Sequence, residues 1–264
     1  MPLLLQGDCL EMMKTLPDKS IDLFLCDLPY GCLSAKRGGV RIGECPANDP
    51  NGNIVIVNKP CDWDIKIDLK QFWIQVKRLM KDDHTPIIHF CNARYGFELY
   101  NSNPNWFRYD LVWEKPNAVG FLFSNKQPLR SHENIYVFAK KGARYNRIDI
   151  EGDFPRAIGG ANRNQQVYGM GTMPSTMADN TGRRCVKSVI KVANLHRRGN
   201  HPTQKPEDLY QWLIERYSKE GDTILDPTAG SFNSVFTAEK LGRKGIGIEK
   251  DEEFYNRAVS LVSE

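Results

Sequence analysis

The sequence has no apolar stretch approaching the roughly 18 residues that a membrane span requires. The Leu3-Leu4-Leu5 run is too short for the hydrophobic region of a secretion signal, and no basic residue precedes it. A soluble, cytoplasmic protein is therefore expected, not a secreted or membrane-bound one. Cysteine is sparse: the 7 residues are odd in number and scattered, without a Cys-x-x-Cys pair or an accompanying histidine cluster. That pattern supports neither a disulfide framework nor a zinc site, so no metal is expected and the thiols read as reduced. Net charge is low as well, at +4, and selects no class of partner by its total. One local absence says more. Between Arg183 and Lys205 there is no acidic residue, while Arg183, Arg184, Lys187, Lys191, Arg197, Arg198 and Lys205 all fall there. Such a stretch suits the phosphates of a nucleic acid, with a solvated basic face as the plain alternative.

Hydrophobic residues make up 41% of the 264, enough for one sizeable core, and a single α/β domain over residues 1–264 fits best. Ile21 to Cys26 reads as a buried strand feeding a loop. Residues 32–60, rich in Gly, Asn, Pro, Lys and Arg, exceed an ordinary connection and read as an inserted loop. Leu69, Phe72, Val76 and Leu79 share one face of a helix. Thr85–Phe90, Tyr109–Trp113 and Ile135–Ala139 read as further strands. Over residues 151–200 periodicity fades, which reads as a loop-rich insertion. Order returns at Pro206, a suitable helix start before Glu207 and Asp208, with Leu209, Leu213 and Tyr217 as the apolar stripe. Thr223–Leu225, Ser231–Leu241, Gly245–Ile248 and Glu252–Val262 then alternate as strand, helix, strand and helix. No internal repeat or low-complexity tract is present.

Two strand ends carry chemistry. The strand at Thr223 runs into Asp226-Pro227-Thr228-Ala229-Gly230-Ser231, a tight turn of small residues at the sheet edge where ligands bind in open α/β folds. Glu249 closes the next strand 19 residues after Gly230, near the ~20 expected of an acid that holds ribose hydroxyls. The turn lacks Gly-x-Gly-x-x-Gly and the Gly-Lys-Ser/Thr ending of a P-loop, so it suits a nucleoside without a pyrophosphate.

The other strand end carries Asp27-Leu28-Pro29-Tyr30. An amino group conjugated to a heterocycle, such as N6 of adenine, is a poor nucleophile. The Asp27 carboxylate and the Leu28 carbonyl can each accept one amino hydrogen and stabilise the positive charge that grows on nitrogen. Pro29 fixes the backbone, and Tyr30 is expected to stack on the base. Such a base must leave the duplex to react. Read by itself, the tetrapeptide is equally a Pro-Tyr turn with Asp27 as a cap.

Four segments in chain order resemble those of a DNA amino-methyltransferase of the beta group. They are Gln6-Gly7-Asp8-Cys9, Asp27-Leu28-Pro29-Tyr30, His201-Pro202-Thr203-Gln204-Lys205-Pro206 and Asp226-Pro227-Thr228-Ala229-Gly230-Ser231. The resemblance implies a Rossmann-like methyltransferase fold with a mostly parallel central sheet and a circularly permuted motif order, the catalytic motif preceding the cofactor motif. It implies S-adenosylmethionine as cofactor and site-specific methylation of adenine N6 in a flipped-out base of double-stranded DNA. By the same resemblance Asp8 contacts the cofactor's adenine, Gln204 and Lys205 line its methionine end, Asp226, Thr228, Ala229, Gly230 and Ser231 form its turn, and Glu249 holds its ribose. Residues 151–200 are then the target-recognition insertion, with Arg183, Arg184, Lys187, Lys191, Arg197 and Arg198 on phosphates. A homodimer and a cognate restriction endonuclease are the further partners it implies. Two departures stand out. Leu28 replaces the commoner Pro, at a position whose role uses the carbonyl. Phe232 stands where Gly usually follows Gly-Ser, and its ring is expected to narrow the cofactor site.

Other readings remain open at this point. N4-cytosine methylation poses the same amino problem, but relatives of that kind more often carry Ser at the position of Asp27. C5-cytosine methylation needs a thiolate, which Pro60-Cys61 supplies only within a loop. Glutamine methylation in proteins uses Asn where Asp27 stands. A DNA-binding protein of this fold without turnover is the reading from a different class, and Phe232 is its best argument. A nicotinamide dehydrogenase lacks its glycine fingerprint. His84, His89, His132 and His196 lack metal-like spacing, and His89 reads as a satisfied core histidine. Trp63 and Trp113 read equally well as core, and Met170, Met173 and Met177 have no assigned role.

Overall fold

The structure, a computed structural model, describes residues 1–31, 47–48, 54–55, 64–121, 124–151, 183–193 and 204–263. Its elements in chain order are β1 (Leu3–Gln6), α1 (Cys9–Thr15), β2 (Leu23–Cys26), β3 (Ala47–Asn48), β4 (Ile54–Val55), α2 (Leu69–Leu79), β5 (Ile87–Cys91), α3 (Ala93–Ser102), β6 (Phe107–Val119) and β7 (Arg130–Phe138). β8 (Ile150–Glu151), β9 (Arg183–Arg184), β10 (Val189–Lys191), α4 (Glu207–Tyr217), β11 (Thr223–Asp226), α5 (Asn233–Lys240), β12 (Lys244–Glu249) and α6 (Glu252–Ser263) follow. Two compact units result, residues 1–146 with 188–264, and residues 147–187.

The larger unit is built on an eight-stranded sheet in the order β1-β12-β11-β2-β5-β7-β6-β10. Its neighbours pair in parallel except at β7, which runs antiparallel to β5 and to β6. The four residues of β2 and the five of β5 are all buried, as expected of strands covered on both faces, and their apolar runs follow from that. Side chains alternate between the faces. Phe24 packs with Met13, Phe72, Val76, Leu79, Tyr95 and Leu99 from α1, α2 and α3. Leu23 and Leu25 pack on the other face with Leu209, Leu213, Ile214 and Tyr217 of α4. Each such side chain, fully buried, contributes roughly 1.5–3 kcal/mol.

Sheet order places the site. From β2 the chain proceeds to β5 on one side; from β11 it proceeds to β12 on the other. β2 and β11 are nevertheless parallel neighbours, with Phe24 level with Leu225. The crevice between them is a topological switch point, and both chemistry-bearing turns leave the sheet at its carboxyl edge there.

Several elements depart from the sequence expectations. β6 and β7 extend to Phe107–Val119 and Arg130–Phe138, with a register shift between Glu114 and Val119, so they form a long hairpin instead of two short strands. α5 begins at Asn233, two residues later than expected, because Phe232 adopts φ +59° and interrupts the helix before it starts. β10 falls inside the stretch read as an insertion, yet pairs in parallel with β6 at the sheet edge, Ile190 level with Trp113. β3 and β4 form an antiparallel ribbon within the stretch read as the 32–60 loop. In the smaller unit β8 and β9 pair antiparallel, Ile150 level with Arg184. Among the described residues no helix is long and apolar enough to cross a membrane.

Candidate active site

The segment Asp27–Tyr30 leaves β2 anchored at both ends. Leu28 is buried in the core with Met13 and Phe72, which leaves its main chain as the part available at the edge. After Tyr30, the Gly31 amide donates to Asp64 Oδ1 at 2.8 Å, and Asp64 is itself buried. Tyr30 stacks on Tyr95, ring centroids 5.2 Å apart at 27°, and its hydroxyl donates to Asp27 Oδ1 at 2.9 Å. Burial, joined by the charges of Asp27 and Glu133, holds the Tyr30 phenol well above its ordinary pKa. It is therefore a fixed donor to Asp27. The ring expected to lie on a base is here paired with another ring.

Lys205, assigned by resemblance to the cofactor's methionine end, lies on the Asp27 carboxylate. Its ammonium donates to Asp27 Oδ2 at 2.5 Å and stands 3.5 Å from Glu133 Oε2 and 5.1 Å from the Phe90 ring centroid. Lys115 pairs with the other oxygen of Glu133 and lies 4.7 Å over the ring of Trp113. Asp27, Lys205, Glu133 and Lys115 thus form a row of alternating charge. Burial opposes the Lys205 ammonium, but Asp27 and then Glu133 outweigh it and raise its pKa. Burial likewise opposes ionisation of Glu133, and Lys205 with Lys115 overcomes it, so that its pKa is lowered. Both ions are retained because each has its partner; removing one member of such a buried pair typically costs about 3–5 kcal/mol.

The second turn is folded by its own polar groups. Asp226 Oδ1 accepts from the Thr228 amide at 3.1 Å and Oδ2 from the Ser234 hydroxyl at 2.5 Å. Burial pushes Asp226 up to about 7, against those two hydrogen bonds and with the charges of Asp27 and Glu249 adding to the rise. Gly230, at φ +52°, donates its amide to Glu249 Oε2 at 2.7 Å, and the Ala229 amide donates to the Ile248 carbonyl at 2.8 Å. Glu249 Oε1 accepts from the Asp251 amide. Burial raises Glu249, with the amides of Asp251 and Gly230 opposing. Each Glu249 oxygen holds one backbone donor and retains a lone pair for another. Asp8 caps α1 through the Leu10 amide at 3.0 Å. It reaches the same edge as Glu249, because Gln6 is level with Glu249 and the Gly7 amide donates to the Glu249 carbonyl.

Phe232 does not narrow this turn. Its ring is fully buried with Val235, Ala258, Phe236 and Tyr255, and lies so close to β12 that a Cβ at Gly247 would stand 2.6 Å from it. The ring therefore fills the layer between β12 and α6, and the expected obstruction becomes a core contact with a left-handed backbone beside it. The polar groups around the turn fit a nucleoside with an amino-acid tail: Glu249 for hydroxyls, a glycine at a left-handed φ with no side chain to obstruct a ligand, and two buried oxygens, Thr228 Oγ1 and Gln204 Oε1, without a hydrogen-bond partner among the described residues. Ser231 is half-buried at the end of the turn. Asn233, the first residue of α5, donates to the Lys205 carbonyl at 3.0 Å, tying this turn to the residue that binds Asp27.

The basic stretch is divided between the units. Arg183 and Arg184 form β9 and, with Lys187, belong to the smaller one. Lys191, on β10 of the larger unit, is exposed and 3.4 Å from Glu114. Arg197, Arg198 and His201–Thr203 lie outside the described residues, as do Cys61, Trp63, Met170, Met173, Met177 and His196. His89 is buried as expected but not satisfied: neither ring nitrogen has a hydrogen-bond partner among the described residues, and Phe72, Trp73 and Phe138 meet the ring edge-on. Burial lowers it to about 3, so it stays neutral. Trp113 is buried in the core, its indole donating to the Val192 carbonyl at 3.0 Å. Glu133, Lys115 and Tyr95 were not singled out from the sequence. The polar run Arg130-Ser131-His132-Glu133-Asn134, leading into a strand, was the one signal for Glu133.

An open, mostly parallel sheet with a nucleoside-type turn and a paired carboxylate at its switch point is the architecture of a protein that binds a nucleoside ligand at the carboxyl edge of its strands. The particular ligand follows from comparison with known proteins. Residues 21–260 match the family model described as DNA methylase, for N6 and N4 methyltransferases, and the chain belongs to this family, whose members take their methyl group from S-adenosylmethionine. It is a DNA methyltransferase. Among curated proteins it is 27% identical to the Type II methyltransferase M.HinfI of Haemophilus influenzae, over 99% of this chain and 68% of that protein. It is 27% identical to the Type II methyltransferase M2.DpnII of Streptococcus pneumoniae, over 96% of this chain and 86% of that one. Solved structures share the fold: M1.HpyAVI in complex with SAM at TM-score 0.61 and 16% identity, each chain fully covered, and the cytosine-N4-specific PvuII DNA methyltransferase at TM-score 0.63 and 16% identity, covering 97% of this chain and 84% of that one.

Proposed function

We propose that this chain methylates N6 of adenine in double-stranded DNA, within a base flipped out against Asp27-Leu28-Pro29-Tyr30. The observation that carries the reading is the placement of Asp27 at the switch point, its two oxygens held by Lys205 and Tyr30. S-adenosylmethionine supplies an electrophilic methyl on its sulfonium. Thr228, Ala229, Gly230 and Ser231 would line it, with Glu249 and Asp8 toward its nucleoside and Gln204 toward its methionine end. Asp27 accepts one amino hydrogen and the Leu28 carbonyl the other, so that positive charge growing on nitrogen meets two fixed acceptors. Each Asp27 oxygen already accepts one bond and has a lone pair left for this purpose. Tyr30 and Tyr95, being stacked, keep Asp27 from rotating away. Adenine is preferred to cytosine because Asp27 stands where the N4-cytosine relatives it resembles more often have Ser.

The relatives are Type II methyltransferases, and we extend that setting to this chain: protection of a specific site against a cognate restriction endonuclease. Residues 151–200 are assigned to target recognition, and Arg183, Arg184, Lys187, Lys191, Arg197 and Arg198 to phosphates. A homodimer would let so small a recognition segment span a duplex. The deciding experiment incubates the protein with labelled S-adenosylmethionine and several unmethylated DNAs, digests the DNA and identifies the modified nucleoside by mass spectrometry. N6-methyladenine is expected. N4-methylcytosine alone would overturn the base assignment, and no transfer to any DNA would overturn the activity.

A further inference from the structure

A second carboxylate stands behind the catalytic one. Glu133 lies on β7, two strands away from β2 in the sheet, and faces the ammonium that Asp27 also binds. Lys205 is 6% exposed and Glu133 17%, so the three charges interact largely out of water. The Lys205 main chain is fixed independently by Asn233, and Phe90 covers its ammonium. The position of that ammonium is therefore decided by the two carboxylates.

We propose that Glu133 is a positioning residue for methyl transfer, sharing the Lys205 ammonium with Asp27 so that Asp27 keeps acceptor strength for the target amino group. This rests on the function proposed above, with Asp27 as the acceptor. The reasoning is one of charge. An Asp27–Lys205 pair alone sums to zero and offers little to a nitrogen becoming positive. With Glu133 added, the three nearest charges sum to −1, while the compensating Lys115 lies on the far side of Glu133. In a water-poor site this difference acts at short range with little screening. Geometry adds to it: pulled from both sides, Lys205 uses one oxygen of Asp27 and leaves the other to Tyr30 and the amino group. The raised pKa of Lys205 and the lowered pKa of Glu133 are the signature of that sharing.

The test is single-turnover methyl transfer with cofactor and DNA saturating, for wild type, Glu133→Gln and Glu133→Asp, alongside equilibrium binding of S-adenosylmethionine. Glu133→Gln is expected to slow transfer about tenfold or more with cofactor affinity within about twofold, the pattern of an interaction used in the transition state. Glu133→Asp, which keeps the charge, is expected to recover part of the rate. A residue that merely braces the fold would weaken binding and melting temperature in both variants and leave the bound rate unchanged. A wild-type rate in Glu133→Gln, or equal slowing in both variants, would overturn the proposal. Should Glu133→Gln fail to fold, Asp27→Asn gives an independent reading. Its Lys205 ammonium, followed by 15N NMR, should remain protonated and protected from exchange because Glu133 still holds it, and loss of that protection would also overturn the proposal. Wild-type protein that transfers no methyl group defeats the functional reading instead, so the two failures are distinguishable.

Discussion

Replacing Phe232 by Gly separates two accounts of the one residue that departs most from its motif. If the ring intrudes on the cofactor turn, its removal opens the site and tightens binding. The structure requires instead a loss of stability with cofactor binding little changed. Phe232 is fully buried with Val235, Ala258 and Tyr255, and its ring meets Gly247 at a distance no Cβ would tolerate. Removing a buried Phe typically costs about 3–5 kcal/mol in lost contacts and residual cavity. Against this, φ +59° strains an L side chain by roughly 1–2 kcal/mol, which Gly relieves. Net destabilisation of about 1–4 kcal/mol is expected. Urea unfolding followed by far-UV circular dichroism would show it as a lower midpoint at unchanged slope, and calorimetry with S-adenosylmethionine should show affinity changed by less than about threefold. A variant as stable as wild type, or one binding the cofactor tenfold more tightly, would refute this account and return the ring to the site.

Other expectations concern single groups. Asp27→Ala should abolish methyl transfer in the nucleoside assay while leaving cofactor binding within a few-fold, because the side chain touches Lys205 and Tyr30 and not the 226–231 turn; full activity in that variant would defeat the mechanism. Asp226 has a folded-state pKa near 7, above the ordinary 3.8, so the folded protein holds a proton that the unfolded chain releases. Its contribution favours folding at low pH and is lost as pH rises toward 7. Asp226→Asn, which preserves an acceptor for the Thr228 amide, should therefore gain in melting temperature over wild type at pH 8, gain less at pH 5, and lose the gain only as pH falls to the ordinary 3.8. His89 is the reverse case. Its pKa falls from 6.5 to about 3 on folding, so stability drains as pH drops from about 6.5 toward 3. His89→Phe should stabilise by about 1 kcal/mol or more at pH 8, since two unpartnered nitrogens are removed, and by more at pH 4; an equal or smaller gain at pH 4 would show that the ring is not held neutral.

The parts of this fold legible in the sequence are those where one local rule acts alone. Phe72, Val76 and Leu79 recur at helical spacing and are fully buried on α2. Leu209, Leu213 and Tyr217 do the same on α4. β2 and β11 are short apolar runs stopped by Asp and Pro, and both were visible. β1 and β10 are three or four residues at the sheet's two outer positions, too short to show a period. The start of α5 was misplaced because Ser231-Phe232-Asn233 carries no helix stop: it is tertiary packing of the Phe232 ring, not its propensity, that holds the left-handed turn. His89 shows the same limit, since a strand pattern reports burial but not whether a ring nitrogen meets a partner.

The site was legible by motif, but the pairing of charges inside it was not. Lys205 belongs to the same six-residue segment as Gln204, and resemblance assigned both to the cofactor's methionine end. Yet adjacent side chains at the mouth of a sheet diverge, and the nearest anion to Lys205 is Asp27, 178 residues away in sequence. This divergence is what makes a permuted order workable. Chain order fixes which half comes first, but the crevice needs only that β2 and β11 be parallel neighbours with their carboxyl ends together. A residue arriving between the two halves, with its main chain held by α5 and its side chain held by the turn after β2, then joins them whichever half is made first. In this chain Lys205 occupies that position. Loss of its ammonium should therefore impair the Asp27 carboxylate while the 226–231 turn stays in place, because the Asn233 side chain still holds the main chain at residue 205.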